Sequence, residues 1–212
     1  WEAVREAVEW LAVDEPSLVW VHIYEPHGPY IGCSESDWER YDEEVARVDE
    51  ILAPLISLLQ ARGARIVVAG DHGEVLDEET CARQHERSSS DMVLRVPLLR
   101  WEPELTSRVI TGMVGLDQVP ALLSGESWKE ESVWLAESGL CEPGCNGCSP
   151  EGLQGRDRVA IGAGARLTRR PGAGWIEEGS VPVEWKAMIE AIPPVAEPTE
   201  SETSEQVESL GY

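Results

Sequence analysis

The chain has 212 residues, enough for one domain of fair size or roughly one and a half small ones. Hydrophobic residues make up 42%, as in an ordinary globular protein, and the formal charge is −23. That charge argues against nucleic acid and anionic membrane surfaces as partners, although it also serves plain solubility. No run of eighteen apolar residues occurs, so no membrane-spanning segment is expected.

Trp1 to Ala12 carries apolar residues at helical spacing, and Asp14-Glu-Pro16 ends it. Ser17 to Tyr24 reads as a strand buried on both faces. Glu25-Pro-His-Gly-Pro-Tyr30 is a loop of turn residues that carries His27. Trp38 to Arg62 predicts a long amphipathic helix, kinked or split at Pro54 and closed by Gly63. Ile66 to Ala69 is a short β-branched strand that breaks at Gly70. Met92 to Trp101 reads as a further strand, with Pro97 marking an edge or a bulge. Val114 to Leu123 predicts a short helix before Gly125. Glu131 to Glu137 is a strand candidate. Arg158–Ile161 and Ala165–Arg169 predict a hairpin around Gly162-Ala-Gly164. Val183 to Ala191 is helical. From Pro193 onward the chain is rich in Glu and Pro and lacks Lys and Arg, a composition that favours a loose tail.

Strand, long helix, strand is the pattern of a parallel βαβ unit. Parallel strands open their carboxyl ends on one edge of the sheet. The loop carrying His27 and the loop carrying Asp71 and His72 are then expected to share that edge. Asp and His are both metal ligands. On residue type alone, Asp71 could equally cap a helix and His72 could be an ordinary polar loop residue. His85 lies in a polar, irregular stretch further on. His22, inside the expected strand, reads as a satisfied core residue. Nine Trp and no Phe suggest that Trp fills core positions.

Five stretches in order, with a sixth at 209–212, resemble the carboxyl-terminal half of the sulfatase family, within the alkaline phosphatase superfamily. V-H-I-Y-E-P-H-G-P-Y at 21–30 resembles that family's strand and loop ending in D-P-H-x-P-Y. Y-D-E-E-V-A-R-V-D at 41–49 resembles its following helix, and G-D-H-G-E at 70–74 its S-D-H-G-E metal loop. L-R-V-P-L at 94–98 and G-L-D-Q-V-P-A-L-L at 115–123 match later segments in the same order, and S-L-G-Y at 209–212 is similar to the end of many bacterial members. The resemblance implies an α/β fold, with a mostly parallel sheet and flanking helices, plus a small C-terminal α+β portion. The expected divisions are 1–125 for the carboxyl-terminal half of the catalytic domain, 126–192 for a small subdomain with a Cys/Gly loop, and 193–212 for the tail. Asp71 and His72 would be metal ligands for a divalent ion, either calcium or, given the imidazole, manganese or zinc. His27 would contact the anionic group of an ester substrate, and His85 would bear on the transferred group or the leaving oxygen. Export of the parent protein to the periplasm or the outside also follows from the resemblance.

The chain departs from the family at several points. Glu86 follows His85 where Gly is usual, and Gly70 stands where Ser is usual. The family's C/S-x-P-x-R nucleophile segment does not occur, and Cys141-Glu-Pro-Gly lacks the Arg. Asp71 and His72 are also fewer than the three or four protein ligands that a catalytic metal needs. A missing amino-terminal half, in a chain that opens on Trp1, is expected to explain both gaps. Cys141, Cys145 and Cys148 share the spacing of an iron–sulfur triad, but their setting favours a zinc knot or a disulfide with one free thiol; Cys33 and Cys81 make the total odd. Three functions stay open: a sulfate-ester hydrolase, a phosphodiester or phosphonate-ester hydrolase or phosphoethanolamine transferase of the same superfamily, and a non-catalytic relic or binding module.

Overall fold

The computed structural model describes residues 2–12, 18–76, 85, 89–138 and 156–193. The first layer is helical. Helix α1 (Glu2–Trp10) turns Val4 and Ala7 inward, with Leu11 one turn on. They meet Ile51 and Leu55 of α2 (Asp37–Ala61), one turn apart on a single stripe. Ser36 caps α2: its hydroxyl oxygen accepts the Glu39 N–H at 3.3 Å and its O–H donates to Glu39 Oε2 at 3.0 Å. Gly63, at φ +65°, closes the far end, and the Ala64 N–H bonds back to Leu59 O at 3.0 Å. Pro54 neither kinks the helix to a stop nor splits it, because the helix continues to Ala61. Proline removes one backbone bond, and the flanking Ile51 and Leu55 stay packed against α1.

The expected strand before this helix forms no ladder. Residues 18–24 carry no strand assignment, and no ladder among the described residues includes them. Val19, Val21 and Ile23 pack on the helical core, while Leu18 and Trp20 are 75% and 82% exposed. One face is therefore buried and not both. His22 falls on the outward face, so it is exposed and not a core residue. Trp10 and Trp38 are exposed too, and among the described tryptophans Trp185 alone is in the buried core.

Strand β1 (Ile66–Ala69) pairs antiparallel with β2 (Leu98–Trp101), from Ile66↔Trp101 to Ala69↔Leu98. The expected parallel sheet is not seen among the described residues, whose two sheets are both antiparallel. A parallel return needs a crossover that carries the chain to the other end of the strand. Between β1 and β2 the described helix is the single turn α3 (Asp91–Leu94), and Gly70 N–H bonds to Pro97 O at 3.0 Å. The chain thus comes back at the end it left. The expected strand at 92–101 divides accordingly into α3 and β2. Pro97 sits just before β2, where its missing N–H costs the ladder nothing.

A 3₁₀ turn (Leu116–Gln118) leads into α4 (Val119–Ser124), which ends at Gly125 with φ +97°. The buried Gln118 amide donates to Lys129 O at 2.7 Å and accepts the Lys129 N–H at 2.9 Å, which fixes the approach to the second sheet. That sheet is an antiparallel meander of β3 (Val133–Glu137), β4 (Arg158–Gly162), β5 (Ala165–Arg170) and β6 (Gly174–Gly179). The hairpin around Gly162-Ala-Gly164 is present, with Gly164 at φ +74°. The fourth strand, G-W-I-E-E-G, was not expected. Helix α5 (Glu184–Glu190) lays Trp185 and Ile189 on Ala160 and Leu167. The fold is thus a mixed α/β arrangement with antiparallel sheets of two and four strands. Among the described residues no helix is long and apolar enough to cross a membrane. Cys81, Cys141, Cys145 and Cys148 and the tail from 194 lie outside the described residues.

Ile51 is 1% exposed and belongs to the helical core. Ile51→Ala is expected to lower stability by about 2–5 kcal/mol. Leu18→Ala, on the outward face, should stay within about 0.5 kcal/mol. Urea unfolding of both variants measures the contrast, and equal losses would show that the extended segment is buried on both faces after all.

Candidate functional site

The loop after β1 is held at both ends. Gly70 bonds to Pro97 O, and a Cβ there would meet Val96 and Pro97 at 3.3 Å. The Gly73 N–H bonds to Val93 O at 2.7 Å. A Cβ at residue 73 would lie 1.9 Å from Met92 O, so only glycine fits that close approach. Asp71 and His72 are presented between these two anchors. Asp71 Oδ1 accepts the His72 N–H at 2.9 Å, and Oδ2 lies 3.8 Å from His72 Nε2.

Three imidazoles converge beside this loop. The His72 and His85 rings stack at 3.7 Å between centroids and 20° between planes. His27 meets His85 edge-on at 5.6 Å and 64°, and the Tyr24 ring lies 4.4 Å from that of His27. The four residues singled out from the sequence are therefore neighbours, although residues 18–24 and β1 form no parallel pair. The helical core places the His27 loop, and β1 places the Asp71 loop.

Hydrogen bonding sets the tautomers. His27 Nδ1 is 2.7 Å from Gly28 O, and His72 Nδ1 is 3.0 Å from Gly73 O. A carbonyl oxygen can only accept, so each Nδ1 carries the proton and donates it. Nε2 is then the atom each ring has left for a ligand or substrate. His85 Nδ1 faces Glu74 Oε2 at 3.5 Å, a long contact to a carboxylate side chain that is 7% exposed. Glu74 Oε1 is buried and accepts no hydrogen bond among the described residues. Pairing of an imidazole with a buried carboxylate fixes ring orientation in many sites. Glu74 was visible in the G-D-H-G-E motif, but nothing in the sequence pointed it at His85.

Asp71 and His72 fit as two neighbouring ligands of one ion. With bonds of about 2.0–2.2 Å to each donor, a separation near that of Nε2 and Oδ2 suits a shared metal. No group of three or more His, Cys, Asp or Glu able to hold a metal ion occurs among the described residues. The described residues thus offer two candidate donors here, with the Asp71 side chain 78% exposed.

Tyr30 and Tyr41 pack edge to face at 5.7 Å and 84°. Burial, and then the charge of Glu74, push the Tyr30 phenol well above the usual tyrosine range. Tyr41 is raised for the same two reasons.

The Sulfatase family model matches residues 2–124 of the chain. The chain belongs to the sulfatase family, and the matched stretch contains His27, Asp71, His72 and His85. No curated protein and no solved structure matches it.

The raised phenol makes an alkaline prediction. The fold favours neutral Tyr30, whereas the unfolded chain ionises it near pH 10. That contribution is fully present below about pH 10 and is lost as pH rises beyond it. The melting temperature should fall in that range, and Tyr30→Phe should make the fall shallower. Thermal scans from neutral to strongly alkaline pH test it; an unchanged slope in Tyr30→Phe would assign the loss to other groups.

Proposed function

We propose that this chain carries part of the active site of a metal-dependent sulfatase-type hydrolase that cleaves sulfate esters. The observation that supports the reading most is the convergence of His27, His72 and His85 beside Asp71, in a chain of the sulfatase family. Asp71 Oδ2 and His72 Nε2 would hold one divalent ion. When bound, such an ion polarises the ester and draws off charge that builds on the leaving oxygen.

The imidazoles divide the remaining work. His27, with Nδ1 committed to Gly28 O, turns Nε2 to a sulfate oxygen; as the imidazolium it gives a charge-assisted hydrogen bond there. His85, oriented by Glu74, presents Nε2 to the leaving oxygen and acts as its general acid. The nucleophile and the other metal ligands are assigned to a part of the parent protein outside these 212 residues, because the sequence contains no C/S-x-P-x-R segment. A phosphoryl-ester hydrolase is the second reading. It draws on the imidazole in the metal pair, which suits manganese or zinc better than calcium.

Titration calorimetry with manganese tests the roles, since manganese avoids the cysteines that zinc would find. Asp71→Ala and His72→Ala should each weaken manganese binding by about tenfold or more. His27→Ala should leave it unchanged. Equal losses in all three would overturn the division between ligands and substrate contact. The 212-residue chain should show no metal-dependent turnover of aryl sulfates; turnover that vanishes in His72→Ala would place the nucleophile within it.

A further inference from the structure

A cavity of about 1350 Å³ is lined by Asp71, His72 and His85 and extends between the α3–β2 segment, the 111–117 loop and the four-stranded sheet. Its volume exceeds the 300–1,000 Å³ of common ligand pockets, so a sulfate and a metal ion leave most of it unfilled. The sheet shows why one wall is apolar. Side chains alternate along a strand, so the two faces of β3 and β4 do different work. Val133, Leu135 and Ala160 belong to the face packed with α5. Trp134, Ala136 and Ile161 line the cavity, with Trp134 directly opposite Ile161 in the ladder. Arg166, which pairs with Ile161 on β5, reaches Asp91 of α3 at 2.8 Å and ties the sheet to the segment that anchors the Asp71 loop.

Trp134 takes no part in the buried core and is only half-buried. Its ring is nevertheless seated. A Cβ at Gly115 would lie 1.9 Å from its Cη2 and Cζ2 atoms. Gly115 has φ −87°, an ordinary value for any residue, so backbone conformation does not call for glycine there. The indole itself needs the space.

We propose that Trp134, resting on Gly115, is the stacking surface for the alcohol portion of the ester and selects alcohols with a flat apolar face. The inference rests on the sulfatase reading for the direction of the substrate: the sulfate lies at the histidines and the departing alcohol extends over the indole. Trp134 acts as a specificity-determining residue, outside the region matched by the family and 49 positions beyond His85 in a sequence whose cavity joins them.

Calorimetry with 1-naphthol, 1-naphthyl sulfate and inorganic sulfate tests this on the whole chain with manganese present. Naphthol should bind the wild type. Trp134→Ala should weaken naphthol and naphthyl sulfate by about three- to tenfold and leave inorganic sulfate unchanged. Trp134→Phe, which keeps a ring, should retain most of the affinity. Gly115→Ala, which leaves the backbone unstrained but displaces the indole, should mimic Trp134→Ala. No naphthol binding to the wild type, or equal binding to Trp134→Ala and Gly115→Ala, overturns the proposal. If naphthol binding follows Trp134 but naphthyl sulfate binds no tighter than naphthol, the stacking surface stands and the sulfate-ester reading falls.

Discussion

The close approach of Gly73 to Met92 is the constraint on which the site depends. With the amide of Gly73 bonded to Val93 O and no room for a Cβ, the loop after β1 has one course to follow. Gly70 makes a second tie to Pro97. These two bonds do more than hold a loop. They bring the returning chain to the end of β1 that it has just left, so β2 enters antiparallel. They also leave Asp71 and His72 as the residues that project between the ties. Sheet direction and site presentation are thus two results of one short contact.

The histidines gain their arrangement from two separate supports. The His27 loop follows an extended segment packed on α1 and α2, while the Asp71 loop follows β1. Ring stacking joins the two across His85. The backbone carbonyls next to His27 and His72 take up Nδ1 in both cases, a local device available to any histidine whose neighbouring carbonyl turns inward. Glu74 completes the set for His85 and remains partly unsatisfied, with one buried oxygen lacking a hydrogen bond among the described residues. Such a group carries a desolvation cost, which is common where function takes precedence over packing.

The second sheet separates its two duties by face. One side carries the small core with α5, and the other lines the cavity that includes the histidines. The Arg166–Asp91 ion pair has a largely buried guanidinium and a carboxylate 60% exposed, so its contribution is one of placement more than of stability.

Most elements were legible in the chain alone. The helical periodicity of Trp38 to Arg62 with its Gly63 boundary, the hairpin glycines and the G-D-H-G-E loop state local torsions, and these are properties of neighbouring residues. Pairing was not legible. The apolar run at 18–24 suggests an extended segment, but not whether another strand lies alongside it or on which faces it is buried. Likewise, I-V-V-A and L-L-R-W read as strands in either direction, and the choice came from where the chain returned. The G-W-I-E-E-G strand was hidden because its paired glutamates resemble a solvated turn until β5 supplies a partner. The candidate site divides in the same way. Residue types and order singled out His27, Asp71, His72 and His85, whereas the contact of Glu74 with His85 and the seat of Trp134 on Gly115 exist only after distant segments meet. Periodicity records what each residue does to its own backbone; which surfaces touch is decided by packing the whole chain.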